Sequence, residues 1–577
     1  MLENQTLCSL FLRSVDAGGE QIALRDKDSE CSWKDYGERV RRLARGWQTV
    51  GVKPHEPVAL MMKNAPEFNV VDTSLLHAGA VPFSVAVTDP AERIANLMEV
   101  SGSRFIVVDA AAIERAIAVA KTSNFDVSIV IAGENDTYQG LSLETVAAAG
   151  ANLSQEPWRH VNPEDDATLI FTSGSTGTPK AVKLSHRAIV LSLRNTNRIA
   201  PVSSGGHVLS YLPLSHIAER FMSHYLSLAF GVTVTSVPTP GELYDTLRAV
   251  EPSRFFSVPR VYEKLVAQIR ATAAGNQLLA DALARSGRWV RAEQEGKTLT
   301  SDEQVQWNSD LETLAPIRVA LGLHRTEYRG VATAPSSPDI LESMSAVGLP
   351  VGNIWGMSEA IMCTMNPPER LKLNTVGVFL DDVEHRVAED GELLIRGVNL
   401  FSGYMGDTQG LAGALDGEGW FHTGDLGSID SDGYLSIVGR KKEIMITATG
   451  KNVAPAAIEA ALREASPLVS YAMVVAEGRR YVTALIALDE DAVSEFAIAQ
   501  GLAGPFSSLI RSPEVVQEVE KTVERVNRTL QKAESVRNWH LPDTPWIPGS
   551  DEITPTMKLR RNSIMSSYED VIDALYA

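Results

Sequence analysis

Cysteine is scarce. The 577-residue chain holds three, Cys8, Cys31 and Cys363, widely spaced and odd in number. That excludes a disulfide framework and a cysteine-built zinc site, and it points to a reducing compartment. Positive charge is also short. With a formal net charge of −19 and no long Lys/Arg block, there is no basic face to displace the counterions of a duplex, so nucleic acid is not an expected partner. A small anion can still bind where a few cations converge. No apolar run approaches the ~20 residues of a spanning helix. The first residues, MLENQTLCSLFLRSV, have neither the basic start nor the long apolar stretch of a signal peptide. Internal repeats and low-complexity tracts are missing too. A cytoplasmic enzyme is expected, with no membrane span and with peripheral membrane contact left open.

What the chain does have is ordinary globular material: 44% hydrophobic and 22% charged residues, enough for a sizeable core. Helical and strand patterns alternate through the first three-quarters. YGERVRRLARGWQTVG reads as a helix ended by Gly51. PVALMM (57–62), RFIVVDA (104–110) and VSIVIAG (127–133) read as short buried strands. This rhythm predicts α/β layering with parallel strands. Residues 261–295 form one strongly helical stretch, with Val261, Leu265 and Ile269 on one face. Residues 512–530 form another, with Ser512 as N-cap, Pro513 at the first helical position and a stripe at Val516, Val519, Val523, Val526 and Leu530. A boundary is expected near 439–442. It would separate a large domain, 1–439, from a small α+β domain, 440–577, containing a hairpin of SYAMVV (470–475) and YVTALIAL (481–488).

The segment LIFTSGSTGTPKAVKLSH (169–186) breaks this pattern. An apolar strand runs into eight residues that are all Thr, Ser, Gly or Pro, and then meets Lys180. A strand, a Gly/Ser/Thr loop and a following helix would hold phosphate well. Glycine lets the backbone approach, the N–H groups converge, and a helix N-terminus favours negative charge. Lys180 can meet a phosphate as a point charge. The spacing is not that of a Walker A loop, because the second glycine it requires falls at Pro179.

TSGSTGTPKAVKLSH resembles the phosphate loop of the adenylate-forming superfamily, which includes acyl-CoA synthetases, firefly luciferase and peptide-synthetase adenylation domains. Other stations follow in order: WGMSEA (355–360), GELLIRGVNLFSGYMGD (391–407), GWFHTGDLGSID (419–430), GRKKEIMITATGKNVAPAAIE (439–459) and ITPTMKLRR (553–561). YLPLSHIAER (211–220), FFSVPRVYEKL (255–265), LGLHR (321–325) and the C-terminal SYEDVIDALYA resemble the long-chain fatty acyl-CoA ligase group.

The resemblance implies an α/β fold: a large N-terminal adenylate-forming domain of layered sheets and helices with a small mobile α+β C-terminal domain. It also implies roles. Thr172, Ser173, Gly174, Ser175, Thr176, Gly177 and Lys180 would cradle the β- and γ-phosphates of ATP. Trp355 would lie against adenine, with Gly356 allowing close approach, and Ser358 would donate to the α-phosphate. Glu359 would help hold Mg²⁺. Asp425 and Arg440 would bind the ribose. His216 would sit near the carboxylate pocket. Lys558 would reach the carboxylate and α-phosphate as the adenylate forms. Lys442 would be the hinge of a swinging small domain, and the loop Thr449–Pro455, with Gly450, would line the thiol's route.

The implied activity is an ATP-dependent long-chain fatty acid–CoA ligase that releases pyrophosphate. Its partners would be fatty acid, ATP and CoA. One alternative is a fatty acyl-AMP ligase loading an acyl carrier protein. A second, of another class, is a catalytically silent nucleotide- or acyl-binding protein. Two departures from the family pattern stand out. Ala332 and Thr333 occupy VATAP (331–335) where relatives often read Ser-Gly-Ala-Ala-Pro, and Thr449 replaces a frequent glycine.

Overall fold

In the computed structural model, residues 4–133, 138–172, 179–547, 549–554 and 557–577 are described. The chain divides into two compact units. The first comprises Met1–Thr333, Glu342–His385 and Leu394–His422; the second comprises Ala334–Leu341, Arg386–Leu393 and Thr423–Ala577.

The first unit contains a fully parallel sheet, as the alternation predicts. Five parallel strands run in the order Val81–Ser84, Pro57–Met61, Phe105–Asp109, Ser128–Ala132 and Leu141–Ser142. Their β-branched and aromatic side chains pack with the helices Ala91–Ser101 and Ile113–Thr122, where Ile94, Met98, Ala116 and Val119 are fully buried. The helix Trp33–Thr49 starts on a Ser32 cap, and the chain leaves it through Gly51 at φ 100°. A second sheet runs Arg254–Ser257, Tyr328–Val331, Gly352–Met357, Ala360–Met365 and Val378–Phe379, its first three strands parallel and its last two antiparallel. Three more strands, Gly403–Tyr404, Lys180–Ser185 and Asp166–Thr172, form a small antiparallel sheet.

The stretch 261–295 is two helices, Pro259–Ala274 and Gln277–Gln294. Asn276 accepts from the N–H groups of Leu278 and Leu279, so it caps the second helix and breaks the expected single one. The face Val261, Leu265 and Ile269 is buried as expected.

In the second unit the strands Val469–Val475 and Val482–Leu488 form the expected antiparallel hairpin, and Val536–His540 adds a parallel third strand. The helices Pro455–Ala465 and Pro513–Asn527 bury Ile458, Leu462, Val519 and Val523 in its core. Ser512 caps the second helix and Pro513 opens it. The buried stripe begins at Val515, with Val516 only half-buried, and the helix ends at Asn527, before Leu530. The aliphatic run makes both registers plausible in sequence; packing selects one. Trp546, Ile553, Ile564 and Ile572 form a further core with Met473 and Leu485.

Candidate active site

The glycine-rich loop joins two strands, not a strand and a helix. Asp166–Thr172 and Lys180–Ser185 pair antiparallel, with Thr172 opposite Lys180. The helix His186–Ile199 starts only after Ser185, whose hydroxyl accepts from the Ala188 N–H at 3.1 Å. Val182 and Leu184, both buried on either side of the half-buried Lys183, are a strand signal that the expectation of a helix passed over. A helix dipole therefore does not open at Lys180, and any phosphate affinity there rests on the lysine and on loop donors. Ser173, Gly174, Ser175, Thr176 and Gly177 lie outside the described residues.

Around Lys180 the first unit gathers two further side chains. The Lys180 ammonium lies 4.9 Å from the ring centre of Tyr404. The Tyr404 hydroxyl donates to Glu359 Oε1 at 3.0 Å. Burial, reinforced by the Glu359 charge, raises the Tyr404 pKa well above the ordinary phenol value, so the hydroxyl stays a donor. Glu359 and Ser358 form the turn of a hairpin between Gly352–Met357 and Ala360–Met365. Trp355 is buried opposite Thr364, and the strand is irregular between Trp355 and Met357. A Cβ on Gly356 would come 2.7 Å from the Met362 backbone nitrogen, so this hairpin itself requires glycine there. Glycine is also called for at Thr333, which sits at φ 77°. A β-branched residue in that region is strained by roughly 1–2 kcal/mol.

His216 caps the short helix Ile217–Glu219, its Nδ1 accepting from the Ala218 N–H at 3.2 Å. Beside it lies a network that sequence reasoning missed. The fully buried Arg220 pairs with the fully buried Asp72 and donates to Tyr225 Oη and Ser84 Oγ, each at 2.9 Å. Asp72 also pairs with His224 Nε2 at 2.9 Å. Burial opposes the Asp72 charge, but Arg220 and His224 outweigh it and lower its pKa. The charged ends of SHIAER were the available signal. Glu219, buried in the same segment, has its carboxyl pushed up to about 7 by burial, against hydrogen bonds from Ser223 and Ser210.

The second unit gathers Asp425, Arg440 and Lys558. Asp425 is buried in the strand Phe421–Ile429 and stands opposite Arg440 in Leu435–Arg440. The two are ion-paired at 3.0 Å, with Arg440 half-exposed. Lys558 closes a turn: Thr554 N–H donates to the Lys558 carbonyl at 2.8 Å, and Lys558 N–H donates to Thr554 Oγ1 at 2.9 Å. Met557, just before it, is held at φ 62°. The residue keeps exposed surface. Crowding around its ammonium, then the Arg440 charge, nevertheless hold its pKa below the ordinary lysine value, against the pull of Glu443 and Asp425. Lys442 is exposed in the turn after Arg440, where the Glu443 and Ile444 N–H groups donate to the Arg440 carbonyl. Gly450, at φ 73°, turns the hairpin Met445–Ile446 and Asn452–Val453.

Comparison with known proteins decides the family. The pattern of the AMP-binding enzymes matches residues 11–405, and that of the AMP-binding enzyme C-terminal domain matches residues 442–577. The chain belongs to the AMP-binding enzyme family. This adenylate-forming enzyme is 31% identical over 566 residues to the long-chain-fatty-acid–CoA ligase FadD15 of Mycobacterium bovis, covering 95% of this chain and 92% of that protein. It is 37% identical over 431 residues to fadD11 of Mycobacterium tuberculosis, itself a candidate fatty-acid–CoA ligase, covering 73% and 76%. Among solved structures, the adenylation domain of a carboxylic acid reductase from Segniliparus rugosus, in complex with AMP and a co-purified carboxylic acid, superposes with a TM-score of 0.77. It is 17% identical, with 99% of this chain and 94% of that chain covered. At that identity the likeness speaks for the fold alone. Among the described residues of this AMP-binding enzyme, no helix is long and apolar enough to cross a membrane.

Proposed function

We propose that the enzyme is an ATP-dependent long-chain fatty acid–CoA ligase. It would join a fatty acid carboxylate to AMP with release of pyrophosphate, then transfer the acyl group to the thiol of CoA. The observation that carries this reading is the grouping of Lys558 with the Asp425–Arg440 pair. Lys558 has no ion pair among the described residues and would be available to meet reacting oxygens, and the neighbouring pair is suited to ribose hydroxyls. Similarity to long-chain ligases along nearly the whole chain supports the substrate class.

The chemistry needs such an arrangement. Carboxylate and α-phosphate repel each other, so their reaction requires donors pre-aimed where charge accumulates. Lys180 and Thr172 would hold the β- and γ-phosphates. Trp355 would stack on adenine, Ser358 would donate to the α-phosphate, and Asp425 with Arg440 would fix the ribose. Lys558 would neutralise charge between acid and α-phosphate. His216 would border the acid. Lys442 would be the hinge, and the turn at Gly450 would line the thiol's path in the second step.

Among the described residues, no cluster of three His, Cys, Asp or Glu side chains makes a metal cage. The lone Glu359 carboxylate suits Mg²⁺, which usually binds one or two carboxylates together with substrate phosphates. Bound there, Mg²⁺ would neutralise phosphate charge.

The test is pyrophosphate release across a panel of acids of increasing chain length, with and without CoA, combined with detection of acyl-CoA. Release with long-chain acids and CoA-dependent thioester is the expected result. Pyrophosphate without thioester points instead to a carrier-protein acceptor. No release with any acid refutes the reading.

A further inference from the structure

Tyr404 stands between two side chains of opposite charge. Its hydroxyl binds one oxygen of Glu359, and its ring lies under the Lys180 ammonium. Among the ion pairs of the described residues, none joins Lys180 to Glu359. The backbone fixes this placement from both sides. Tyr404 pairs with Val182 and Gly403 with Lys183. Met405 N–H donates to the Ala181 carbonyl at 2.8 Å, and Ser402 N–H donates to the Lys183 carbonyl at 2.8 Å. On the other side, Phe401 N–H donates to the carbonyl of Glu359 itself at 2.9 Å. The Phe401 ring also packs edge-on against Tyr404, with centroids 4.9 Å apart. Five consecutive residues thus tie the strand that begins at Lys180 to the turn that carries Glu359.

The physical consequence concerns what the two charges do before nucleotide arrives. A flexible lysine and a carboxylate within mutual reach tend to pair, and each would then be spent on the other. Tyr404 gives each charge a partner of its own, its ring for the ammonium and its hydroxyl for the carboxylate. The ring holds the ammonium by a cation–π contact that is weak at an exposed site, so it can release the ammonium to a phosphate. The hydroxyl fixes the carboxylate through one oxygen and leaves the other for a cation.

We propose that Tyr404 is a positioning residue that keeps Lys180 and Glu359 apart and presents one to the nucleotide phosphates and the other to their divalent cation. The proposal rests on the roles given to those two residues under Proposed function.

Three variants test it: Tyr404→Phe, which keeps the ring; Tyr404→Leu, which removes ring and hydroxyl; and Glu359→Gln. Calorimetry would measure ATP affinity in EDTA and in excess Mg²⁺, and the ratio of the two gives the metal-dependent gain. For Tyr404→Phe, affinity in EDTA should be unchanged. Its metal-dependent gain should fall roughly ten- to 150-fold, as expected for losing a hydrogen bond to a charged group, and raised Mg²⁺ should rescue turnover. For Tyr404→Leu, affinity in EDTA should also fall, by about three- to five-fold, as Lys180 pairs with Glu359.

If Glu359→Gln loses the gain while Tyr404→Phe keeps it, the role of the hydroxyl is refuted and the metal assignment stands. If Glu359→Gln keeps the gain, the metal assignment fails and the proposal falls with it. Equal EDTA affinities for the Phe and Leu variants refute the role of the ring. Tyr404→Phe is nearly isosteric, so it decides the case for the hydroxyl even if the Leu variant does not fold.

Discussion

Replacing Lys558 by alanine should separate the two half-reactions. If its ammonium stabilises charge between acid and α-phosphate, its loss should lower the rate of adenylate formation by ~10²–10³, equivalent to about 2.7–4 kcal/mol. The fold should hardly notice. Lys558 is exposed, its ammonium makes no ion pair among the described residues, and the turn is held by Thr554 through backbone groups that alanine retains. Stability should stay within roughly ±0.5 kcal/mol, as for surface changes that break no special contact. The electrostatics add a second readout. Crowding and the Arg440 charge lower the Lys558 pKa. If the ammonium is what acts, adenylation should decline with rising pH at a value below the ~10.4 of an ordinary lysine. Lys558→Arg should push that decline out of range, because a guanidinium stays charged. The assay is rapid-quench measurement of the pyrophosphate burst, set beside single-turnover conversion of preformed acyl-AMP and CoA to thioester. Equal losses in both half-reactions would refute the reasoning, as would an alanine variant with an unchanged burst.

Lys442→Pro, by fixing φ at the turn after Arg440, should slow thiolysis of preformed acyl-AMP well beyond its effect on the pyrophosphate burst; unchanged partial rates would dismiss the hinge. Arg220→Met leaves the buried Asp72 with His224 alone. It should cost about 3–5 kcal/mol, read as a lower urea midpoint at unchanged slope. Glu219 holds its proton up to about pH 7 in the folded enzyme, against ~4.3 when unfolded. Its contribution to stability is therefore complete below about pH 4.3 and is lost as pH rises through about 7. Glu219→Gln should flatten that decline in denaturation curves taken across the range; an identical pH dependence would show that another group is responsible.

Local pattern made much of this fold legible. The parallel strands around Val58, Ile106 and Val130 are short β-branched runs between turn residues, and they pair as the alternation predicts. The helix Pro513–Asn527 is announced by its cap and its proline. Elsewhere the sequence spoke less clearly. A strand after the glycine-rich loop was concealed because AVKLSHRAIVLSL satisfies either period over its first few residues. Pairing of Lys180–Ser185 with Asp166–Thr172 settles the matter, and pairing is non-local. The candidate site residues stand out in the sequence as motifs, but their partners do not. Asp425 and Arg440 lie 15 positions apart and become cross-strand neighbours only through the hairpin. Tyr404 lies inside a quoted motif, yet its contacts are with residues far away in sequence.

The departure at Thr449 bears on which thiol is accepted. In the sequence it reads as bulk added where relatives often carry glycine, and bulk near the thiol's route would narrow the pantetheine channel. The structure gives that side chain a local partner: Thr449 Oγ1 lies 2.9 Å from Thr447 Oγ1, and Thr447 Oγ1 also accepts from the Lys451 N–H at 3.1 Å. The extra atoms thus join the hydrogen bonds of the turn, while the positive φ the turn requires is supplied next door by Gly450. A residue that stiffens its own hairpin has a sufficient reason to be there. Its presence therefore does not weigh against CoA, and the choice of acceptor rests on thioester formation itself.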